Sequence, residues 1–141
     1  MANFSHPHPQ KTHSYYEWLR AQFQNKRAIL EEGLVAAGMQ PIPSQGGFFL
    51  MARLPLLPES VVPAGPEEYD WRYCRMLAEK YGVIGIPASP FFSPTPVNTA
   101  GAGAGAGAGA AAMGPMARFA FCKKDETLHE ATRRLKSGPV G

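Results

Sequence analysis

The sequence predicts an α+β domain in which a small, mainly antiparallel sheet carries helices packed on it. Three observations point there. Apolar residues recur at helical spacing in three segments, near 15–37, 67–81 and from 125 onward. Short apolar runs of strand length, near 48–52, 83–86 and 116–122, lie between and after the first two helical segments. Proline and glycine, together more than one residue in five of the 141, punctuate the boundaries. Helix, strand, helix, strand, strand, helix is an order that suits one sheet with helices layered on it.

The first helix is predicted over 15–37. Ser14-Tyr15-Tyr16-Glu17 has the spacing of a capping box, in which the Ser hydroxyl and the Glu carboxylate each accept from a backbone N–H at the helix start. Tyr16, Leu19, Phe23, Leu30 and Leu34 draw one apolar stripe, while Arg20, Lys26, Arg27, Glu31 and Glu32 fall mostly outside it. Gly38 suits a left-handed helix end. Pro41 and Pro43 then impose an extended link before Gly46-Gly47 and the buried strand Phe48–Ala52. Four prolines between Pro55 and Pro66 mark a surface connection.

The second helix, over 67–81, places Tyr69, Tyr73, Met76 and Leu77 on one side and ends at Gly82. Val83–Ile86 is a short strand stopped by Pro87. In the strand 116–122, Ala117, Phe119 and Phe121 alternate with Met116, Arg118, Ala120 and Cys122. Asp125 stands at an N-cap position before the last helix, whose basic C-terminal end complements the helix dipole.

Residues 1–13 read as a flexible N-terminal tail, and 14–141 as one domain with a disordered Gly/Ala insert near 98–114. Residues 100–112 are only Ala and Gly up to Ala112, so they offer no side chain large enough to bury. A mobile loop is expected there, with a silk-like strand as the rival reading. His6, His8 and His13 admit metal binding, but the interleaved Pro7 and Pro9 favour a solvated tail. Cys74 and Cys122 have no metal-type spacing, and neither a disulfide framework nor a zinc site is expected. The net charge of +3 is mildly basic, and its Lys/Arg pairs are scattered, which argues against nucleic acid. No apolar run suits a signal peptide or a membrane span, so a soluble cytoplasmic protein is expected, with a mitochondrial location open for a longer form.

Arg118 breaks the local rule, since it is a charged side chain within an apolar strand. An edge strand whose Arg reaches water, an internal ion pair, and a two-pronged clamp for a carboxylate all remain open on pattern alone. The pairs Phe48-Phe49 and Phe91-Phe92 read more readily as core than as a ligand wall. His129 reads as a solvated helix residue. No catalytic, cofactor-binding or metal-ligating residue is expected from motifs in this chain.

Three segments carry a resemblance. Gly-Gly-Phe-Phe-Leu-Met at 46–51, Tyr-Gly-Val-Ile-Gly-Ile-Pro-Ala-Ser-Pro-Phe-Phe-Ser at 81–93 and Ala-Arg-Phe-Ala-Phe-Cys-Lys-Lys-Asp-Glu-Thr-Leu at 117–128 occur in this order. They resemble the C-terminal small domain of fold-type I, class I/II aminotransferases, in the kynurenine aminotransferase, glutamine transaminase and cysteine-S-conjugate β-lyase group. The resemblance implies a pyridoxal 5'-phosphate enzyme that moves an amino group from an amino acid to a 2-oxo acid. Kynurenine, glutamine or another aromatic or sulfur amino acid is the implied donor. It implies that Arg118 pairs with the substrate α-carboxylate and that Phe49 lines the side-chain pocket.

Nothing in these residues resembles the family's large domain, where a Lys forms the Schiff base and most cofactor contacts lie. The chain is therefore expected to need that domain as a partner, to be inactive alone, and to form a homodimer in full-length form. The Gly/Ala run occupies what is an ordinary loop in relatives. The rival from a different class is a truncated, non-catalytic interaction module that keeps the small-domain fold.

Overall fold

A computed structural model describes residues 14–92 and 114–138. The tail over 1–13, its three histidines, and the Gly/Ala insert up to residue 113 lie outside the described residues.

Helix α1 spans Tyr15–Ala36, as the capping box predicts. The Ser14 hydroxyl accepts from the Glu17 N–H at 3.3 Å, and the Glu17 carboxylate accepts from the Ser14 N–H at 2.9 Å. Gly38, at φ 76°, turns the chain out of the helix in the left-handed region. The buried part of the apolar stripe is its C-terminal half, around Leu30, Gly33 and Leu34. Tyr16, assigned to the stripe by spacing, is 77% exposed, because the contacts with the last helix begin only near Lys26.

The sheet has four strands rather than three, in the order β1-β2-β4-β3 and antiparallel throughout. They are β1 (Gln40–Pro41), β2 (Phe49–Arg53), β3 (Ile86–Pro87) and β4 (Met116–Ala120). The extra strand β1 lies in the proline-rich link, where two residues pair with Ala52 and Arg53. A pairing this short leaves no periodic signal. Strand β3 also departs from expectation, since it comprises Ile86 and Pro87 rather than 83–86. Pro87 belongs to the strand because β3 is an edge, where a missing N–H costs no ladder bond.

Helix α2 (Tyr69–Met76) continues into a π-helical turn, Leu77–Tyr81, that closes on Gly82 at φ 63°. Helix α3 spans Asp125–Lys136. Its N-cap is Lys124, not Asp125, and no side chain caps it. The Asp125 carboxylate instead takes the Lys26 ammonium, which also donates to the Lys123 carbonyl at 2.7 Å.

Helices α1 and α3 run side by side in the same direction. The Thr132 hydroxyl donates to the Ile29 carbonyl at 2.8 Å, and a Cβ on Gly33 would stand 2.9 Å from the Thr132 Cα. Only glycine permits that approach. Buried residues of all three helices, among them Leu34, Tyr73, Leu77, Leu128 and Leu135, join Leu50, Ala52, Ala117 and Phe119 in one core. Strand alternation sends Phe49, Met51, Arg118 and Ile86 to the opposite face. That face carries the candidate site.

Candidate carboxylate-binding site

Arg118 lies on β4, an inner strand, directly between Met51 of β2 and Ile86 of β3. The edge-strand reading is therefore removed by position. The ion-pair reading fails as well, because Arg118 has no hydrogen-bond or ion-pair partner among the described residues. Its Nε is buried and unpaired. A buried donor left without a partner costs about 1–3 kcal/mol, so the arrangement is one that a ligand would relieve.

Two aromatic rings hold the guanidinium. Its central carbon lies 4.5 Å from the Phe49 ring centroid and 5.1 Å from that of Phe91. Both rings are substantially exposed, at 44% and 65%. The cation lies over the face of each ring, and no described residue takes a hydrogen bond from its N–H groups. A free, rigidly held guanidinium edge offers two parallel donors to a carboxylate.

Phe48, Phe49 and Phe91 are thus exposed rather than core, where the sequence pattern favours core, and Phe92 is half-buried. Strand alternation separates Phe48 from Phe49. Phe48, 49% exposed, packs on the helix side against Phe23 at a centroid distance of 5.0 Å. Phe49, one residue on, points to the Arg118 face by the strand's alternation. Phe91 comes from a short 3-10 turn, Ser89–Phe91, after β3. Spacing gave no hint that it would meet Arg118, since 27 residues separate them in the sequence.

Elsewhere the titratable groups serve the fold. Burial pushes the Cys74 thiol up to about 12, with the nearby Asp70 carboxylate adding to the effect. Burial raises the Tyr73 hydroxyl well above its ordinary value. Arg133 and Arg134 hold the Glu130 carboxyl down to about 2 on the exposed side of α3. His129 is exposed, as expected of a solvated helix residue. Among the described residues no group of His, Cys, Asp or Glu could hold a metal ion, and no helix is long and apolar enough to cross a membrane.

Residues 3–101 match the family model for aminotransferase class I and II. The chain belongs to the class I and II aminotransferases. It is 30% identical to a kynurenine–oxoglutarate transaminase of Dictyostelium discoideum over 86% of this chain and 27% of that protein. Among solved structures, it resembles the N-succinyldiaminopimelate aminotransferase of Mycobacterium tuberculosis at 31% identity and a TM-score of 0.57, covering 85% of this chain and 25% of that one. It also resembles YbdL of Escherichia coli, for which a methionine aminotransferase function is identified, at 26% identity and a TM-score of 0.58 over 86% and 26% of the two chains. The chain spans about a quarter of the length of the relatives it matches.

The family depends on pyridoxal phosphate, and the described residues do not fit that group. A lysine free to bond it is required, whereas Lys26 is tied to Asp125, Lys80 to the Val61 carbonyl and Lys136 to Glu32. Lys123 and Lys124 form the turn that leads into α3. None of the five stands on the strand positions that face Arg118.

Proposed function

We propose that this chain supplies the substrate-carboxylate arm of a pyridoxal-phosphate-dependent transaminase, which moves an amino group from an amino acid to a 2-oxo acid. The supporting observation is Arg118 itself, a ring-clamped guanidinium with an unpaired buried Nε on the sheet face that no described helix covers. Amino acid and 2-oxo acid share a carboxylate beside the reacting carbon. A clamp for that carboxylate therefore serves both half-reactions, and fixing it restricts how the neighbouring carbon can be presented. Phe49 and Phe91 provide an apolar wall beside the clamp, which suits aromatic or sulfur-containing side chains such as those of kynurenine or methionine. The cofactor and its lysine belong to a large domain that acts as partner, in a homodimer, and the chain alone is inactive.

The test places residues 14–138 in the corresponding position of the Dictyostelium relative and measures transamination with and without Arg118→Lys. Losing one charge-assisted donor pair should lower kcat/KM roughly ten- to a hundredfold, the range set by about 1.5–3 kcal/mol per such bond. Unchanged kinetics would make Arg118 a structural residue and remove the reading. The isolated chain, mixed with pyridoxal phosphate, should show no stoichiometric absorption band of lysine-bound cofactor. A band abolished by one lysine substitution would contradict the separation of roles.

A further inference from the structure

Phe91 reaches Arg118 from a turn with little packing of its own, so something must hold that turn. Two bonds do. The Ala88 N–H donates to the Met116 carbonyl at 3.0 Å, which fastens the turn to β4. The Ser89 N–H donates to the Asp70 carboxylate at 2.7 Å, which fastens it to α2. Within the turn, Phe91 and Phe92 donate back to Ala88 and Ser89.

Asp70 is only 3% exposed, in the first turn of α2. Its other carboxylate oxygen accepts from the Trp71 N–H at 3.0 Å, and no cation pairs with it among the described residues. Such an acid is costly to bury, and the positive end of the helix and two backbone donors offset the cost. A helix-capping role would account for the Trp71 bond. It would not account for the bond to a turn nineteen residues away.

We propose that Asp70 is the positioning residue for the Arg118 clamp: its carboxylate holds the Ser89–Phe91 turn so that the Phe91 ring stays over the guanidinium. The functional meaning of this role rests on the carboxylate-arm reading above, whereas the geometry it asserts does not. Asp70 touches neither Arg118 nor any ligand of it, and acts through the turn. A carboxylate is needed because both of its partners are donors. Asparagine at 70 would have to turn its amide N–H2 toward one of those two N–H groups.

The test reads the Arg118 Nε–Hε signal by NMR in the 141-residue chain. A guanidinium lying over the faces of two aromatic rings should have that signal displaced upfield of the other arginines. In Asp70→Asn the displacement should shrink while the backbone spectrum elsewhere stays native. Leu34→Val, a core change of the helix layer, should leave it in place. In Phe91→Leu the signal should move as well, and adding Asp70→Asn to Phe91→Leu should move it no further, since both act on one contact. An Arg118 signal unmoved by Asp70→Asn, moved equally by Leu34→Val, or shifted additively in the double variant would overturn the proposal. If Asp70→Asn does not fold, Asp70→Ser keeps one acceptor on the same Cβ and enters the same cycle. Titration with pyruvate separates this from the functional reading. A wild-type chain whose Arg118 signal ignores pyruvate would count against the carboxylate arm, and the Asp70 comparison would stand unaffected.

Discussion

Replacing Arg118 by methionine should leave the fold close to its original stability, and the reason can be worked from the site. Methionine keeps the length of the aliphatic stem between Met51 and Ile86. It removes the orphaned Nε, a relief of about 1–3 kcal/mol. It also forfeits two ring contacts, each worth about 0.5–1 kcal/mol where water has access. The balance runs from a loss of about 1 to a gain of about 2 kcal/mol. At roughly 3 °C per kcal/mol for a domain of this size, Tm should move between about 3 °C down and 6 °C up. An arginine kept for a buried ion pair behaves otherwise, because its removal strands a charge and costs about 3–5 kcal/mol. Thermal unfolding followed by circular dichroism, with a urea titration beside it, distinguishes the two. A fall of roughly 9 °C or more in Arg118→Met would refute the view that this side chain is held for a ligand rather than for the fold.

Gly33→Ala should destabilise the α1–α3 layer by about 1–2 kcal/mol, because a methyl placed against the Thr132 backbone costs more than the roughly 1 kcal/mol that alanine gains as a helix former. A urea midpoint at or above that of the parent chain would show that the helices separate freely. In native protein a thiol reagent should label the exposed Cys122 quickly and the buried Cys74 slowly. Two equally fast thiols would mean that α2 opens readily. The Glu130 carboxyl, held down to about 2 by its two arginines, is lower in the folded than in the unfolded chain. It therefore adds stability above its unfolded value near 4.3, and that contribution is lost as pH falls toward about 2. Glu130→Gln should flatten the dependence of Tm on pH across that window, and an unchanged slope would show that the exposed pairs contribute nothing.

Much of the architecture could be read from local pattern because its signals are local. Ser14 and Glu17 announce the start of α1, Gly38 and Gly82 take the left-handed turns that end their helices, and alternation along 116–120 assigns Arg118 to the face opposite Ala117 and Phe119. Each of these follows from neighbours within a few positions in the chain. The departures from that pattern have equally physical causes. Strand β1 leaves no signal in the sequence because two residues carry no period, and Pro87 reads as a stop because its place on an edge depends on which strands lie beside it. Asp125 reads as a cap from its neighbours, but its carboxylate is taken by Lys26, 99 residues away.

Sequence alone determined that one charged residue sits in an apolar strand, and the three segments around it pointed to the aminotransferase small domain. Whether Arg118 faced water, an acid or a ligand was undecided in one dimension, since the answer depends on strand order and on what the other face brings near. Tertiary structure removed water and an acid from the choice by placing β4 inside the sheet with no ion-pair partner for Arg118 among the described residues, and it set the guanidinium over the Phe49 and Phe91 rings with Asp70 behind the turn that carries Phe91. Helical and strand periods record which way a side chain points. Only packing records what it meets there.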